Sequence, residues 1–236
     1  MRIAFAVFVK TPGLSPIKTR LASSIGRTRA EQFYSDSLIA TKAVVEGVAA
    51  AVSKTIAKAL PKTLAKPMVD AYWAVAEETG LNHSFWNSSP HWQVILQRGE
   101  GLGERLANIY GELKSRYDIV CLYGADSPHV KSEVLAAALQ KLIVGGTVAA
   151  SVVVGPTEDG GFYFLAGSMP IAHDIWCKVK YSTEHTWRDL RAQLVAAKMA
   201  PDVASGGIVE VEKNFDIDTG EDFERLNREF SNWRRG

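Results

Sequence analysis

The chain has 236 residues, of which 47% are hydrophobic and 22% charged, and its formal net charge is +1. These values are ordinary for a globular protein with a sizeable core, and the near-neutral charge gives no long-range field that favours nucleic acid or an anionic membrane. No run of about 18 apolar residues predicts a membrane span. The apolar start, 2–9, ends at Lys10 and is interpreted as a strand rather than a signal peptide. Two isolated cysteines fit a reducing cytoplasm.

The apolar pattern predicts strands that alternate with helices along the chain. Strands are expected at 2–9, 68–78, 92–97, 118–124, 146–156, 161–167 and 207–212. Helices are expected at 28–59, 103–117, 130–143, 183–199 and 220–233. This alternation predicts a single-domain α/β fold over 1–236, with a mostly parallel, Rossmann-like sheet and helices on both faces. Ligands bind at the carboxyl ends of the strands in such sheets, so the loops that follow strands are the candidate sites.

The loop after the first strand, KTPGLSPIKTR (10–20), is basic. Its cations and hydroxyls suit a diphosphate, its two prolines stiffen it, and Gly13 allows close approach of a ligand to the backbone. The expected nucleotide-binding residues are Lys10, Thr11, Pro12, Gly13, Lys18 and Arg20. The alternative is a solvated basic loop without a ligand.

The loop after the fourth strand, GADSPH (124–129), carries one acid, Asp126, where a buried strand ends. Mg²⁺ prefers carboxylate oxygens and is commonly held by one or two carboxylates together with substrate phosphates. Asp126 is therefore a candidate metal ligand, although an aspartate here also suits a turn in which it bonds its own backbone. His129 in the same loop is expected at the surface.

Two adjacent acids, Glu158 and Asp159, precede a pair of glycines in GPTEDGGFYFLA (155–166). The glycines permit positive φ and let a bulky ligand approach the backbone. Glu158 and Asp159 are therefore the candidate catalytic acids. The alternative is a plain turn between two strands.

Near the C-terminus, NFDIDTGEDFERL (214–226) contains Asp216 and Asp218, which point to the same side if the segment is extended. Thr219 and Asp222 fit a helix-capping pattern, so Thr219 is interpreted as structural. Asp216 remains as a second candidate metal ligand. All three acids, Asp126, Asp159 and Asp216, are expected at one cavity, because their loops should reach the same edge of the sheet.

A further loop, QRGEGLGERL (97–106), joins a strand to a helix through three glycines, with Arg105 near the helix start. A helix N-terminus of this kind can receive an anion. A plain turn explains the same pattern.

Taken in order, FVKTPGLSPIKTRLA, LQRGEGLGERL, LYGADSPHV, GPTEDGGFYFLA, YST and DIDTGEDFERL resemble a family of bacterial glycosyltransferases. The resemblance covers nearly the whole chain. That family belongs to the GT-A, nucleotide-diphospho-sugar transferase superfamily, whose more distant members include molybdenum-cofactor and 2-phospho-lactate guanylyltransferases. The resemblance implies that the loop from Lys10 to Arg20 holds the nucleotide and that Asp126, with Asp216 as the second acid, holds Mg²⁺ or Mn²⁺.

The resemblance implies a metal-dependent glycosyltransferase that uses a nucleoside-diphosphate sugar and a small-molecule acceptor. The alternatives are a nucleotidyltransferase that releases pyrophosphate and a nucleotide-binding protein without turnover. The chain departs from the nucleotidyltransferases in its first loop, which has Gly13 and two prolines where they have several glycines. It also lacks the D-x-D motif of glycosyltransferases at the fourth strand, where Ala125 precedes Asp126. The sequence does not specify the sugar, the base, the acceptor or the oligomeric state.

Overall fold

The structure is a computed structural model that describes residues 1–59, 67–86, 91–144, 147–148, 151–197 and 207–235. Its strands are β1 (Arg2–Val9), β2 (Met68–Val75), β3 (Trp92–Leu96), β4 (Ile119–Gly124), β5 (Ile143–Val144), β6 (Thr147–Val148), β7 (Val152–Pro156), β8 (Phe162–Gly167) and β9 (Ile208–Glu210). Its α-helices are α1 (Thr19–Ile25), α2 (Arg27–Ala59), α3 (Leu102–Lys114), α4 (Ser132–Leu142), α5 (His173–Cys177), α6 (Thr186–Ala196) and α7 (Gly220–Glu229). Short 3₁₀ helices cover Glu78–Gly80 and Trp233–Arg235.

Seven strands form one sheet in the order β3-β2-β1-β4-β8-β7-β9. Neighbouring strands are parallel except at β8, which pairs antiparallel with both β4 and β7. Six of the seven strands therefore run in the same direction. The predicted α/β class with a mostly parallel sheet is confirmed.

The central strand β1 is buried on both faces, as its continuous apolar sequence predicts. Its odd-numbered residues, such as Phe5, pack in a core with α2 and α4. Its even-numbered residues, Ala4 and Ala6, face a second core built from α3, α5 and α6. Small alanines on that side leave room for the large side chains Tyr110 and Trp176. Helices thus cover both faces, as expected.

A third apolar cluster lies at one end of the molecule, where α1, α2 and α7 meet. Phe33 on α2 lies edge-on to both Phe223 and Trp233, with ring centroids 5.4 and 5.5 Å away. This cluster fixes the C-terminal helix against the segment that follows β1. The packing matters for the site because residues 214–218 lead directly into α7.

Two details differ from the sequence prediction. The predicted fifth strand, 146–156, is divided: β6 pairs with β5 in a separate two-stranded sheet, and β7 alone joins the main sheet. The strand predicted at 161–167 runs antiparallel, because only the short turn 157–161 separates it from β7 and a turn of that length reverses the chain. Within the described residues, no helix is long and apolar enough to cross a membrane. The extent of the domain, 1–236, stays a prediction.

Candidate active site

The candidate site lies at the carboxyl edge of the sheet. Because β1, β4 and β7 run in the same direction, the loops after Val9, Gly124 and Pro156 emerge at one edge. Strand β8 runs the other way, so its first residue, Phe162, lies at this edge too. The topology therefore brings together the three loops that the sequence singled out.

A cavity of about 590 Å³ opens beside the first loop, and we call it the basic cavity. Its charged lining residues are Lys10, Lys18, Arg20, Arg105, Asp126 and Asp218. Four of these six are basic, so the cavity favours an anion. Tyr34 anchors its first loop, because the Tyr34 hydroxyl lies 2.9 Å from the backbone nitrogen and 3.0 Å from the carbonyl oxygen of Lys10.

A second cavity, of about 280 Å³, adjoins the first, and we call it the acidic cavity. Its charged lining residues are Asp126, Asp159 and Asp216, and no described Lys, Arg or His lines it. The rest of its wall is aromatic, aliphatic or hydroxylic. The two cavities share four lining residues: Phe8, Leu102, Asp126 and Ser182. Asp126 is the one acid that faces both.

Lys18 is buried at the wall between the loops and holds Asp126 in place. Its side chain is 5% exposed, and its ammonium nitrogen lies 2.6 Å from Oδ1 of Asp126 and 2.9 Å from Oδ1 of Asp218. A third hydrogen bond of 2.7 Å reaches the carbonyl oxygen of Ile217. Burial acts to lower the pKa of Lys18, but the charges of Asp126 and Asp218 outweigh it and the pKa is raised. Lys18 therefore stays charged, and these three bonds use all three of its ammonium hydrogens.

The segment 214–218 is fastened to the loop that carries Asp126. The Ile217 nitrogen donates to the Asp126 carbonyl oxygen at 3.0 Å, and Ser127 Oγ lies 3.1 Å from the Phe215 carbonyl oxygen. His129 lies within this junction rather than at the surface, since it is 6% exposed and its Nε2 lies 2.6 Å from Asn214 Oδ1. The junction also holds three contacts between aromatic rings.

Those three contacts join the rings of His129, Phe215 and Phe230, whose centroids lie 4.4, 4.5 and 6.1 Å apart. The expectation that His129 lies at the surface was wrong, because the C-terminal segment covers it. The packed junction therefore positions Asp216 and Asp218 beside Asp126.

Asp216 is half-buried in the acidic cavity and has no described ion-pair partner. Burial raises the pKa of Asp216 to about 7, and the charge of Asp126 adds to the rise. Ser127 Oγ, 2.5 Å from Asp216 Oδ1, donates a hydrogen bond that acts in the opposite direction. Burial is thus the larger cause of the raised pKa, and the neighbouring carboxylates add to it.

Asp159 lies in the turn between β7 and β8. Its Oδ1 accepts hydrogen bonds from Thr157 Oγ1 and, at 3.0 Å, from the Gly161 nitrogen. The side chain is exposed at the acidic cavity. Gly160 has φ +89°, as the paired glycines predict, but the group that approaches it is the backbone of Glu184 rather than a ligand.

The structure divides the residues predicted for the first loop. Lys10, Lys18 and Arg20 line the basic cavity, and Arg20 is 71% exposed and 3.9 Å from Asp218. The other three predicted residues, Thr11, Pro12 and Gly13, do not line it. Thr11 is fully buried, and its backbone nitrogen donates to Glu77 Oε2 at 2.8 Å. A nucleotide-binding role for these three residues stays a prediction.

Glu158 does not reach either cavity. Both of its carboxylate oxygens accept from Arg225, at 2.8 and 3.1 Å, and Arg225 also lies over the Phe215 ring at 3.8 Å. The hydrogen bond and charge of Arg225 lower the pKa of Glu158. The assignment of Glu158 as a catalytic acid is therefore corrected, because this carboxylate is engaged at the surface.

Several lining residues were missed or left undecided by the sequence. Arg105 reaches the basic cavity from the first turn of α3, and its Nε donates to the Gly99 carbonyl oxygen at 3.1 Å. Gln97, the first residue after β3, is 8% exposed, and its side chain donates to the carbonyl oxygens of Val9 and Ala74. The three glycines after Gln97 were the available signal, since they mark a strand-to-helix turn at the carboxyl edge. Ser182, with φ 60°, lies where the cavities meet and had no comparable signal.

Among the described residues, no group of three or more His, Cys, Asp or Glu side chains is arranged to hold a metal ion. Asp126 lines both cavities, and Asp216 lines the acidic cavity beside it. Carboxylate oxygens are the donors that Mg²⁺ and Mn²⁺ prefer, and one or two carboxylates suffice when substrate phosphates complete the shell. The chemistry of these residues therefore fits a divalent cation shared with a bound diphosphate.

The arrangement defines a class of α/β protein with a basic and an acidic cavity side by side at the carboxyl edge of its sheet. A protein-family model matches residues 59–183, which is more than half of the chain. That family is described as "Uncharacterized protein conserved in bacteria (DUF2064)", and the chain belongs to it. No match was found among curated protein sequences.

Several solved structures share the fold. The chain is similar to the "putative nucleotide-diphospho-sugar transferase" from Desulfovibrio desulfuricans, with 21% identity, coverage of 99% of this chain and 90% of that one, and a TM-score of 0.74. It is also similar to 4-diphosphocytidyl-2C-methyl-D-erythritol synthase from Anaerococcus prevotii, with 10% identity, 97% and 98% coverage and a TM-score of 0.53. A third is CMP:2-keto-3-deoxy-manno-octonic acid synthetase in complex with CTP, with 11% identity, 98% and 99% coverage and a TM-score of 0.51. At these identities the likeness to nucleotide-diphospho-sugar and cytidylyl transferases establishes the fold alone.

Proposed function

We propose that the protein is a divalent-cation-dependent glycosyltransferase that takes a sugar from a nucleoside diphosphate and gives it to a small-molecule acceptor. The observation that carries the proposal is the meeting of two cavities of opposite charge at Asp126. A transferase needs two adjoining substrate sites with the reacting groups at their boundary. The fold, shared with proteins named as nucleotide-diphospho-sugar and cytidylyl transferases, supports the same reading.

The basic cavity is the proposed nucleotide site. Its volume of about 590 Å³ lies within the usual range of about 300–1,000 Å³ for small-molecule sites. Lys10 and Arg20 are exposed cations on its wall and Arg105 is a partly exposed one, so each can turn toward a diphosphate. Lys18 has a different role from the one predicted, since its hydrogens are already used to position Asp126 and Asp218.

Asp126 and Asp216 are the proposed ligands of Mg²⁺ or Mn²⁺. When bound, the cation would stabilise the negative charge that develops on the diphosphate as its bond to the sugar breaks. Lys18 contributes by holding Asp126 and Asp218 through short ion pairs. Asp159, across the acidic cavity, is placed to bind the acceptor or remove its proton.

Nucleotidyl transfer with release of pyrophosphate is the second candidate. It is favoured by the shared fold with a synthetase whose structure contains CTP. Both reactions use a nucleotide at the same edge of the sheet, so they are separated by product: nucleoside diphosphate in one and pyrophosphate in the other. A binding protein without turnover would release neither. A cytoplasmic location stays a prediction, consistent with the free thiols of Cys121 and Cys177.

The test is a thermal-shift panel of UDP-, GDP-, ADP- and CDP-sugars and free nucleoside triphosphates, each with and without Mn²⁺. A ligand at a hundred times its Kd stabilises the folded protein by about 2.7 kcal/mol. We expect stabilisation by at least one nucleotide sugar, larger with Mn²⁺ than without. A panel in which no nucleotide sugar or triphosphate stabilises the protein, with or without the cation, contradicts the proposed function.

A further inference from the structure

The acidic cavity differs from the basic cavity in charge and in the chemistry of its wall. Asp159 and Asp216 have no ion-pair partner among the described residues, because their hydrogen bonds come from neutral groups: Thr157, Gly161 and Ser127. Lys18 already pairs with Asp126 and Asp218 and does not line this cavity. Asp159 therefore presents a negative charge without an ion-pair partner among the described residues to whatever enters the cavity.

We propose that the acidic cavity is the acceptor site and that it selects an uncharged or cationic hydroxyl compound, such as a polyol or an amino alcohol, against phosphorylated and carboxylated acceptors. This inference rests on the proposed function, since it assigns the second substrate of the same reaction. It adds a property that the fold does not specify, namely the charge of that substrate.

Charge is the first argument. An anionic acceptor would be placed beside Asp159 without a described cation on the cavity wall. Charges of the same sign at close range repel more strongly near a protein surface than in bulk water. A divalent cation held by Asp126 and Asp216 relieves little of this repulsion, because those two carboxylates and the diphosphate already offset its charge.

The wall of the cavity is the second argument. Phe162, Tyr163 and Tyr181 contribute aromatic surface, which suits the apolar C–H faces of a polyol and also attracts cations. Burial raises the pKa of Tyr163 to about 12, so this phenol is neutral. The Tyr181 hydroxyl is buried, and no described residue hydrogen-bonds to it. Buried polar groups normally have a partner, and a hydroxyl compound in the cavity would be well suited to provide one.

The reaction balances with such an acceptor. The acceptor oxygen forms a bond to the anomeric carbon of the sugar as the bond from that carbon to the diphosphate oxygen breaks. The electron pair of the broken bond leaves with the nucleoside diphosphate, and the acceptor proton passes to the Asp159 carboxylate. The proposal also separates the two candidate reactions, because nucleotidyl transfer onto a phosphate monoester requires an anion in this cavity.

The experiment measures binding of matched compounds to the full chain, with a nucleoside diphosphate and Mn²⁺ both saturating. The pairs are glycerol with glycerol 3-phosphate and glucose with glucose 6-phosphate, and glucosamine and ethanolamine serve as cationic probes. Ligand-observed NMR detects weak binding, and nucleotide affinity is measured separately. We expect at least one neutral or cationic compound to bind, and its phosphorylated partner to bind about tenfold more weakly or worse.

Two variants test whether Asp159 causes the discrimination. Asp159→Asn keeps the oxygen that accepts from Gly161 but removes the charge. It should therefore reduce the ratio between the affinities for the unphosphorylated and the phosphorylated compound of a pair, by up to about tenfold. Glu158→Gln is the matched control, since Glu158 is the neighbouring acid and lines neither cavity, and it should leave the gap unchanged. Equal or tighter binding of phosphorylated compounds by the wild type overturns the inference, as does failure of every neutral and cationic compound to bind. If the wild type still binds the nucleotide in either outcome, the proposed nucleotide site is unaffected. If the wild type does not bind any nucleotide, the proposed function itself is refuted.

Discussion

The Lys18 ammonium lies 2.6 Å from Oδ1 of Asp126, so a residue of the first loop and a residue of the fourth-strand loop form a direct ion pair. The pair is asymmetric in exposure, because the lysine side chain is 5% exposed and the aspartate side chain is 50% exposed. Lys18 is thus fixed within the protein, and the free side of Asp126 faces solvent and the two cavities. A cation is already provided for one oxygen of Asp126, and the remaining lone pairs are available to another.

Lys18→Met should lower the free energy of unfolding by about 1.5–3 kcal/mol, the range for hydrogen bonds to charged groups. The methionine fills similar space but donates nothing to Asp126, Asp218 and Ile217. Urea unfolding at pH 7 measures the change. Lys10→Met is the control, because Lys10 is exposed and its ammonium bonds only the Pro16 carbonyl oxygen.

The same variant tests the relationship between Lys18 and the predicted metal. In Lys18→Met, the ammonium group that pairs with Asp126 and Asp218 is missing, so the two carboxylates repel each other. Mg²⁺ should therefore stabilise Lys18→Met more than it stabilises the wild type. Equal stabilisation of both proteins would contradict the view that this position attracts a divalent cation.

Arg20→Ala and Arg105→Ala should each weaken nucleotide binding by about 1.5–3 kcal/mol, the scale of a hydrogen bond to a charged group. Arg20→Ala should change the unfolding free energy little, because Arg20 is exposed, whereas Arg105→Ala also removes the hydrogen bond from Arg105 Nε to the Gly99 carbonyl oxygen. Calorimetric titration with the nucleotide found in the panel measures the affinities. Arg228→Ala provides the control, since Arg228 is 69% exposed on α7 and lines neither cavity. Unchanged nucleotide affinity in both cavity variants would indicate that the first loop is a solvated basic loop without a ligand.

Short-range patterns were predicted well because their causes are local. The Thr219 hydroxyl accepts from the Asp222 nitrogen, and Asp222 accepts from the Thr219 nitrogen, which is the capping box that the spacing predicts. Asp126, Asp159 and Asp216 were also placed together, although they are distant in sequence. That prediction used topology alone: parallel strands deliver their following loops to one edge.

The sequence could not separate Glu158 from Asp159, which are adjacent and chemically alike. The difference comes from Arg225, which lies 67 positions later and takes both oxygens of Glu158. The role of Lys18 depends in the same way on Asp218, 200 positions away. Which of several equivalent charges is already paired is a property of tertiary packing, and no local pattern encodes it.

The pH dependence of stability should show the raised pKa of Asp216. The folded-state pKa is about 7 against a reference value of 3.8, so between these values the folded protein holds a proton that the unfolded chain has lost. Stability from this group is therefore fully present at low pH and is lost as the pH rises toward about 7, by up to about 1.4 kcal/mol per pH unit. Asp216→Asn removes this slope, so the variant should gain stability relative to the wild type between pH 5 and pH 8. Urea unfolding of both proteins across this range measures the difference, and a constant difference would contradict the raised pKa.

Asp126→Asn should abolish the dependence of nucleotide binding on Mn²⁺ while leaving the fold intact. Asparagine keeps an oxygen that can accept from Lys18, so the junction between the loops survives, but it removes the charge that attracts the divalent cation. Nucleotide titrations with and without Mn²⁺ should therefore give the same affinity in the variant and different affinities in the wild type. Circular dichroism and urea unfolding check that the variant is folded. Asp174→Asn is the control, because Asp174 pairs with Lys178 on α5 and lines neither cavity. If Asp126→Asn retains the Mn²⁺ dependence of the wild type, the metal is held elsewhere and Asp126 serves to fix Lys18.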